Sequence, residues 1–184
     1  DGRYIMFQSN ADNLVAWDTN GMYDAFVRDI VNNTTIRISI DNSWNEWDSD
    51  SLPILMTPDG RYALFESYAS NLVTGTDSYG ELNIFMRDLV NNTTILVDWD
   101  TMWNIWNWRS TNATMSPDWR YVVFESTSDN LTPNTHNWRA SVFVKDVINN
   151  TITLISETPF GSRSNGNSSL WQISDNWKYV FYYS

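Results

Sequence analysis

A β-propeller built from four-stranded antiparallel blades is the fold class that three features of this sequence predict. The 184-residue chain repeats itself with a spacing of 58 or 59 residues. Apolar and polar residues alternate in short β-branched or aromatic runs bounded by Asp, Asn, Gly and Ser, and no stretch has helical spacing. A fixed period of this length is typical of solenoids, propellers and arrays, and a four-stranded unit favours the propeller.

The repeat begins with a turn that occurs four times. Its copies are Asp1-Gly-Arg-Tyr4, Asp59-Gly-Arg-Tyr62, Asp118-Trp-Arg-Tyr121 and Asn176-Trp-Lys-Tyr179. An Asn-Leu pair, a Phe-containing strand that ends in Asp, and an Asn-Asn-Thr turn follow in the first three copies. These features divide the chain into units 1–58, 59–117 and 118–175, with a partial fourth unit at 176–184.

Four short runs account for the strands of one unit. In the first unit they are Tyr4–Phe7, Ala25–Arg28, Thr35–Ser39 and Leu52–Met56. The Asn-Asn and Asp-Gly turns between runs predict local hairpins. Hairpins favour the propeller over its competitor, a β-solenoid, because the rungs of a solenoid are parallel.

The residues of the repeat resemble the TolB-like or PD40-type (WD40-like) β-propeller family. The resemblance rests on Asp59-Gly-Arg-Tyr-Ala-Leu-Phe-Glu-Ser67 and on the run from Asp18-Thr-Asn-Gly21 to Phe26-Val-Arg-Asp29. It implies that the innermost strand of a blade precedes the turn, so that residues 52–56, 112–115 and 170–173 line the central channel. For function it implies a binding platform, a pore-associated periplasmic protein or an appended domain of a peptidase.

The strand count predicts an incomplete ring. The chain supplies three strands of a first blade, two complete blades and two strands of a fourth. About three blades are too few to close around an axis. We therefore expect either copies of the chain that self-associate into an oligomer or filament, or a segment of a larger peptidase or transport protein.

Charge and composition argue against several partners. The formal net charge is −11 and no Lys/Arg cluster occurs, which is unlike a nucleic-acid-binding surface. No apolar run is long enough for a membrane-spanning helix, and cysteine is absent. We expect no membrane insertion and partners that are protein chains or carbohydrate. The resemblance to the TolB-like family implies an extracellular, cell-surface or periplasmic location.

Asp18, Asn20 and Asp24 form the best candidate for a metal site. They offer hard oxygen atoms at a spacing reminiscent of the start of a calcium loop, and Gly21 permits a tight turn. Calcium is the one cofactor that this pattern suggests. The alternative is a hairpin turn in which the Asp and Asn side chains bond their own backbone.

Tryptophan is unusually frequent, with 11 residues beside 7 glycines. The candidate ligand or assembly residues lie between an outer strand and the next inner strand, and are Trp44, Trp47, Trp103, Trp106 and Trp108. Aromatic rings beside Asn and Asp suit a carbohydrate platform, which gives a lectin-like propeller as the alternative function. They equally suit packing between blades or chains.

Trp119 and Trp177 stand where the first two copies of the turn have glycine. A bulky residue is costly there if the position needs a positive φ, whereas a type I turn tolerates it. Tryptophan would also stand at these two positions if the repeat has diverged heavily, or if the amino-acid sequence was inferred indirectly.

No catalytic motif is recognisable in the sequence. His136 is the only histidine and lies in a polar loop, and no nucleophile elbow, zinc motif or phosphate-binding loop occurs. We therefore predict a non-enzymatic module for binding or structural assembly, which associates through edge strands and Trp-rich loops.

Overall fold

The computed structural model describes residues 2–43, 45, 49–73, 80–99, 108–132, 139–174 and 177–184, with the main chain alone at position 171. The regular structure of these residues is entirely β, and they contain no helix that would cross a membrane. The strands are β1 (Tyr4–Ser9), β2 (Asp24–Asp29), β3 (Thr34–Arg37), β4 (Ser51–Met56), β5 (Tyr62–Ser67), β6 (Asn83–Asp88), β7 (Thr93–Leu96), β8 (Ser110–Met115), β9 (Tyr121–Ser126), β10 (Ser141–Asp146), β11 (Thr151–Leu154), β12 (Ser169–Ile173) and β13 (Val180–Tyr183).

These strands form four antiparallel sheets. The first contains β1 to β3, the second β4 to β7, the third β8 to β11 and the fourth β12 and β13. Within each sheet, strands that are neighbours in the chain are also neighbours in space, as hairpin connections require. The predicted fold class, four-stranded propeller blades in an incomplete ring, is confirmed.

A pair of stacked phenylalanines joins β1 to β2, β5 to β6 and β9 to β10 in the first three sheets. The two rings lie directly opposite each other in the strand pairing and contribute a cross-strand contact. The pairs are Phe7–Phe26, Phe65–Phe85 and Phe124–Phe143, with ring centroids 5.4, 5.6 and 5.8 Å apart.

The inner strands β4, β8 and β12 each carry a β-bulge. The register shifts between Pro53 and Leu55 in β4 and between Thr111 and Thr114 in β8. β12 shifts after Leu170. A bulge bends its strand and re-aims the neighbouring groups. β4 and β8 also contact each other across the blade junction, as expected for the strands nearest the axis.

The hydrophobic core lies between the sheets. Each sheet buries its apolar side chains against those of the next sheet, so the stability of one blade depends on its neighbours. The first junction joins Ala25, Val27 and Ile38 to Phe65, Leu72 and Phe85, the second joins Leu64, Ile84 and Val97 to Met115, Val122 and Phe124, and the third joins Val123 and Val142 to Leu170.

Candidate functional site

Asp18 and Asp24 lie together at one end of the first blade, and both bind the guanidinium of Arg37 from β3. Arg37 Nη1 is 3.1 Å from Asp18 Oδ1 and 3.3 Å from Asp24 Oδ2, and all three side chains are buried. Asp24 also accepts hydrogen bonds from the Ser39 hydroxyl at 2.6 Å and from the Asn20 amide at 3.2 Å. A cation supplied by the protein therefore pairs with both carboxylates.

Asn20 is engaged with its own turn. Its side-chain oxygen accepts a hydrogen bond from the Met22 N–H at 3.0 Å, which is the Asx arrangement that forms the alternative to a metal site. Among the described residues, no three His, Cys, Asp or Glu side chains are grouped so as to hold a metal ion. Calcium at Asp18, Asn20 and Asp24 stays a prediction, and an ion placed there would have to displace Arg37.

The second blade has a buried carboxylate at the equivalent end. The N–H of Ile84 donates to Asp98 Oδ1 at 3.3 Å. Asp98 is completely buried, and this burial raises its pKa to about 6 although hydrogen bonds from Ser110 and Ile84 oppose the shift. A serine hydroxyl takes the same role in the other blades, with bonds from Ala25 to Ser39 at 3.1 Å and from Val142 to Ser156 at 3.0 Å.

The third blade has an arginine at this end, supplied from a different part of the chain. The buried Arg163 side chain donates to the Ser141 hydroxyl and to the carbonyl oxygens of Arg139 and Ser126. Ser141 is the counterpart of Asp24, and these three acceptors are neutral oxygen atoms. Burial lowers the pKa of Arg163, and the charge of Asp129 opposes this shift.

A salt bridge recurs between the Asp-x-Arg turn and the end of the third strand. Arg61 Nη2 lies 2.9 Å from Asp88 Oδ2, while Asp88 Oδ1 accepts hydrogen bonds from Val90 N and Asn91 N at 2.9 and 3.1 Å. Burial alone raises the pKa of Asp88, but the hydrogen bonds from Arg61, Asn91 and Val90 lower it to about 2. The equivalent pairs are Arg3–Asp29 at 2.7 Å and Arg120–Asp146 at 3.0 Å.

This pair locks two turns together and is a structural feature of the repeat. In the sequence analysis, this arginine and this aspartate help to define the repeat, and they are not predicted to pair with each other. Their constant spacing within each unit is the signal that could have identified them as partners.

A glutamate near the end of the second strand binds the inner strand of the next blade. Glu66 Oε1 accepts hydrogen bonds from the Thr111 hydroxyl at 3.0 Å and from the Asn112 N–H at 2.9 Å. Glu125 Oε1 does the same for Ser169 and Leu170 at 2.8 and 2.7 Å. These bonds reach the bulges of β8 and β12, so the carboxylates tie each bulge to the preceding blade.

The first junction uses a different pair. Gln8 stands in place of the glutamate, and Pro53 stands in place of Asn112. Proline has no N–H to donate. Gln8 instead donates its side-chain amide to the carbonyl oxygen of Ser51 at 3.1 Å.

Trp108 is the one member of the predicted aromatic set that lies in the described residues. Its side chain is exposed, and its main chain exchanges two hydrogen bonds with the Ser128 hydroxyl, at 2.9 and 2.8 Å. Trp44, Trp47, Trp103 and Trp106 lie outside the described residues. Ligand binding or assembly through these tryptophans stays a prediction.

The turn position of Trp119 and Trp177 has a positive φ in every copy. The angle is 75° at Gly2 and 76° at Gly60, and it is 60° at Trp119 and 59° at Trp177. In the last three copies its N–H donates to the carbonyl oxygen three residues earlier, so it is the last of the four turn residues and not one of the two central ones. This residue takes the left-handed conformation that favours glycine.

Grooves lie beside this turn at the blade junctions. The first, of about 280 Å³, is lined by Tyr4, Ile36 and Gly60. The second, of about 380 Å³, is lined by their counterparts Tyr62, Ile95 and Trp119. A Cβ atom on Gly60 would lie 2.3 Å from the Tyr4 ring, whereas the Trp119 indole stacks on the Tyr62 ring at 4.5 Å. At the first junction the Tyr4 ring lies directly against Gly60, whereas at the second junction the Trp119 side chain occupies the corresponding space beside Tyr62.

No protein-family model and no curated protein matches the chain. Among solved structures, TolB from Acinetobacter baumannii is similar at 16% identity with a TM-score of 0.51, over 92% of this chain and 35% of that one. The β-propeller domain of the Trilobed protease from Pyrococcus furiosus matches at 11% identity and a TM-score of 0.50, over 93% of this chain and 42% of that one. The tricorn protease matches at 11% identity and a TM-score of 0.59, over 99% of this chain and 14% of that one.

These comparisons show the fold. The chain has a TolB-like β-propeller fold, as the resemblance of its repeats predicts. It spans well under two thirds of the length of each of these three proteins.

Proposed function

We propose that this chain is a non-catalytic β-propeller module that binds other protein chains and completes its ring through its two open sheet edges. The observation that carries the proposal is the difference between the middle and the end sheets. The middle sheets have four strands each, whereas the first has three and the last has two. β1 and β13 are both counterparts of β5, the second strand of the second sheet. The free edge of β1 is the edge at which β5 pairs with β4, and the free edge of β13 is the edge at which β5 pairs with β6.

The last sheet exposes side chains whose counterparts are core residues. Phe181 in β13 is 47% exposed, while its counterpart Leu64 in β5 is 0% exposed. Tyr179, just before β13, is also exposed, whereas Tyr62 is buried. An apolar edge strand with unpaired backbone groups is a template for pairing with another strand. Burial of these side chains would favour association.

The first sheet has the same character on its outer face. Ile5 in β1 is 49% exposed, while its counterpart Ala63 faces the first blade and is 0% exposed. A preceding blade would cover Ile5 as the first blade covers Ala63. Both ends of the array thus present surfaces that match the interior of a propeller.

The absence of catalysis from these blades is part of the proposal and is supported by how their carboxylates are used. Asp24 binds Arg37, Asp88 binds Arg61 and Glu66 binds Asn112, so each has a structural partner. The resemblance to TolB-like repeats supports an extracellular, cell-surface or periplasmic location. It also supports protein chains as the partners.

The proposal is tested by light scattering of the chain over a range of concentrations. We expect the mass to rise with concentration as the open edges pair. Phe181→Lys places a charge on the edge strand and should reduce the association. Phe160→Lys is the matched control, because Phe160 is 95% exposed in the loop between β11 and β12. A compact monomer at every concentration, or equal effects of the two variants, would contradict association through β13.

A further inference from the structure

Glycine and tryptophan exchange places between the repeats of this chain. When the units are aligned by their spacing of 58 or 59 residues, every one of the 7 glycines falls opposite a tryptophan in another unit. The pairs are Gly2 and Gly60 with Trp119 and Trp177, Gly21 and Gly80 with Trp138, Gly75 with Trp17, Gly161 with Trp44 and Trp103, and Gly166 with Trp108. Seven of the 11 tryptophans take part.

The backbone confirms the alignment where both members are described. The N–H of Gly60 donates to Thr57 at 2.9 Å, and the N–H groups of Trp119 and Trp177 make the same bond to Ser116 and Ser174 at 2.8 Å. The alignment also holds two residues after Trp108 and Gly166. There Ser110 and Ser168 donate to the equivalent carbonyls of Leu82 and Ala140, at 2.8 and 2.7 Å.

At three of these seven tryptophans the backbone has the conformation that glycine favours. Among the described residues, seven other than glycine have a positive φ, of which four are asparagine. The remaining three are Trp17, Trp119 and Trp177, with φ of 66°, 60° and 59°. Asparagine enters the left-handed region readily, whereas a bulky side chain there is an outlier.

Burial does not explain the choice of tryptophan at Trp17. Its side chain is 87% exposed, so the ring gains little from packing while the backbone carries the strain. Glycine and tryptophan are also the smallest and the largest side chains. Selection for packing or binding has no reason to choose the largest side chain at the positions where the other units have glycine.

A single cause accounts for the whole pattern at the level of the codon. UGA is read as a stop signal or as tryptophan in different genetic codes, and it differs from the glycine codon GGA only in its first base. We infer that the cell which makes this protein reads UGA as glycine, and that the folded protein carries glycine at all seven of these tryptophan positions. The inference rests on the repeats and on backbone geometry, and it is independent of the proposed function.

The inference changes the chemistry of the surface. Trp44, Trp103 and Trp108 cease to be an aromatic platform for sugars or for assembly. At the second junction, the Tyr62 ring gains the space over residue 119 that Tyr4 has over Gly60. Binding by this module then depends on its strand edges and grooves, without indole rings from the loops.

Two direct measurements test the inference. The nucleotide sequence should contain UGA at all seven positions, and UGG at Trp17, Trp119 or Trp177 would overturn it. A peptide map by mass spectrometry of the protein purified from its own cells should show the mass of glycine at these positions. Tryptophan in those peptides would overturn the inference even if every codon is UGA.

A folding comparison provides a third, independent measurement. Three full-length chains are made, with tryptophan, glycine or alanine at all seven positions. We expect the glycine chain to unfold at a temperature about 5 °C or more above that of the alanine chain, because alanine removes the indoles but keeps the strained Cβ atoms. A glycine chain no more stable than the alanine chain would overturn the inference.

Discussion

Glu66 in the second blade accepts a hydrogen bond from the main-chain N–H of Asn112 in the third, at 2.9 Å, so a single carboxylate joins two sheets at a bulge. Glu66→Ala removes this acceptor and the one for Thr111. We expect the free energy of unfolding, measured with urea, to fall by about 1–2 kcal/mol. Glu66→Gln keeps a carbonyl oxygen in place and should lose less. Equal losses in the two variants would show that the acceptor is not what matters.

Asp98 should make the protein less stable at neutral pH than in mild acid. Burial raises its pKa to about 6, above the value of about 4 for an unfolded chain. The neutral acid is therefore the form that the fold tolerates. Its contribution to stability is present below about pH 4 and is lost as the pH rises through about 6.

Asp98→Ser tests this pH dependence, because Ser39 and Ser156 hold the same position in the other blades. The free energies of unfolding of the variant and of the parent protein are measured with urea at pH 4 and at pH 7.5. We expect the difference in favour of the variant to be larger at pH 7.5 by on the order of 2–3 kcal/mol. Asp98→Asn, which is also uncharged, should show the same trend. A difference that is independent of pH would exclude ionisation of Asp98 as its cause.

The strain at Trp17 should be measurable at one site. Trp17→Gly relieves a φ of 66° at a ring that is almost fully exposed, so we expect the free energy of unfolding to rise by about 1 kcal/mol. Trp17→Ala is the matched control, since it removes the same ring and keeps the Cβ atom. Thermal unfolding of the two variants compares them directly. A gain of the same size with alanine would attribute the effect to the indole.

The Arg61–Asp88 pair predicts a loss of stability in acid. Its hydrogen bonds lower the pKa of Asp88 to about 2, so its contribution is present above about pH 4 and is lost as the pH falls through 2. Asp88→Ala should cost about 1–2 kcal/mol at pH 7, because the carboxylate also caps the turn at Val90 and Asn91.

The control for this variant is Asp12→Ala, which removes an exposed carboxylate outside the repeated turn. We expect its free energy of unfolding, measured with urea at pH 7, to equal that of the parent protein. The difference in free energy of unfolding between Asp88→Ala and the parent protein should become smaller as the pH approaches 2. A difference that stays constant would mean that the salt bridge does not contribute through the charge of Asp88.

The strands were predictable from the sequence because each is short, alternates in polarity and repeats at a fixed spacing. The contacts at the blade ends were not. Arg37 binds Asp18 and Asp24, but its counterparts in the other units are Leu96 and Leu154, so the repeat gives no sign of a cation there. A spacing of oxygen ligands shows which atoms are near each other, and it does not show which cation the fold already provides.

Asp98 illustrates the same limit. Its counterparts are serines, and the sequence shows only a polar residue after an outer strand. Its altered ionisation arises from complete burial, which depends on the neighbouring blade and not on the local pattern.

The bonds between blades lie within single sequence units. Unit 1–58 contains both Gln8 and Pro53, and unit 59–117 contains both Glu66 and Asn112. An exchange of these two whole units would keep Gln8 with Pro53, which offers no N–H, and Glu66 with Asn112, which does. Each duplication of the repeat therefore copied the two halves of a blade junction together, so that the halves could change as a pair.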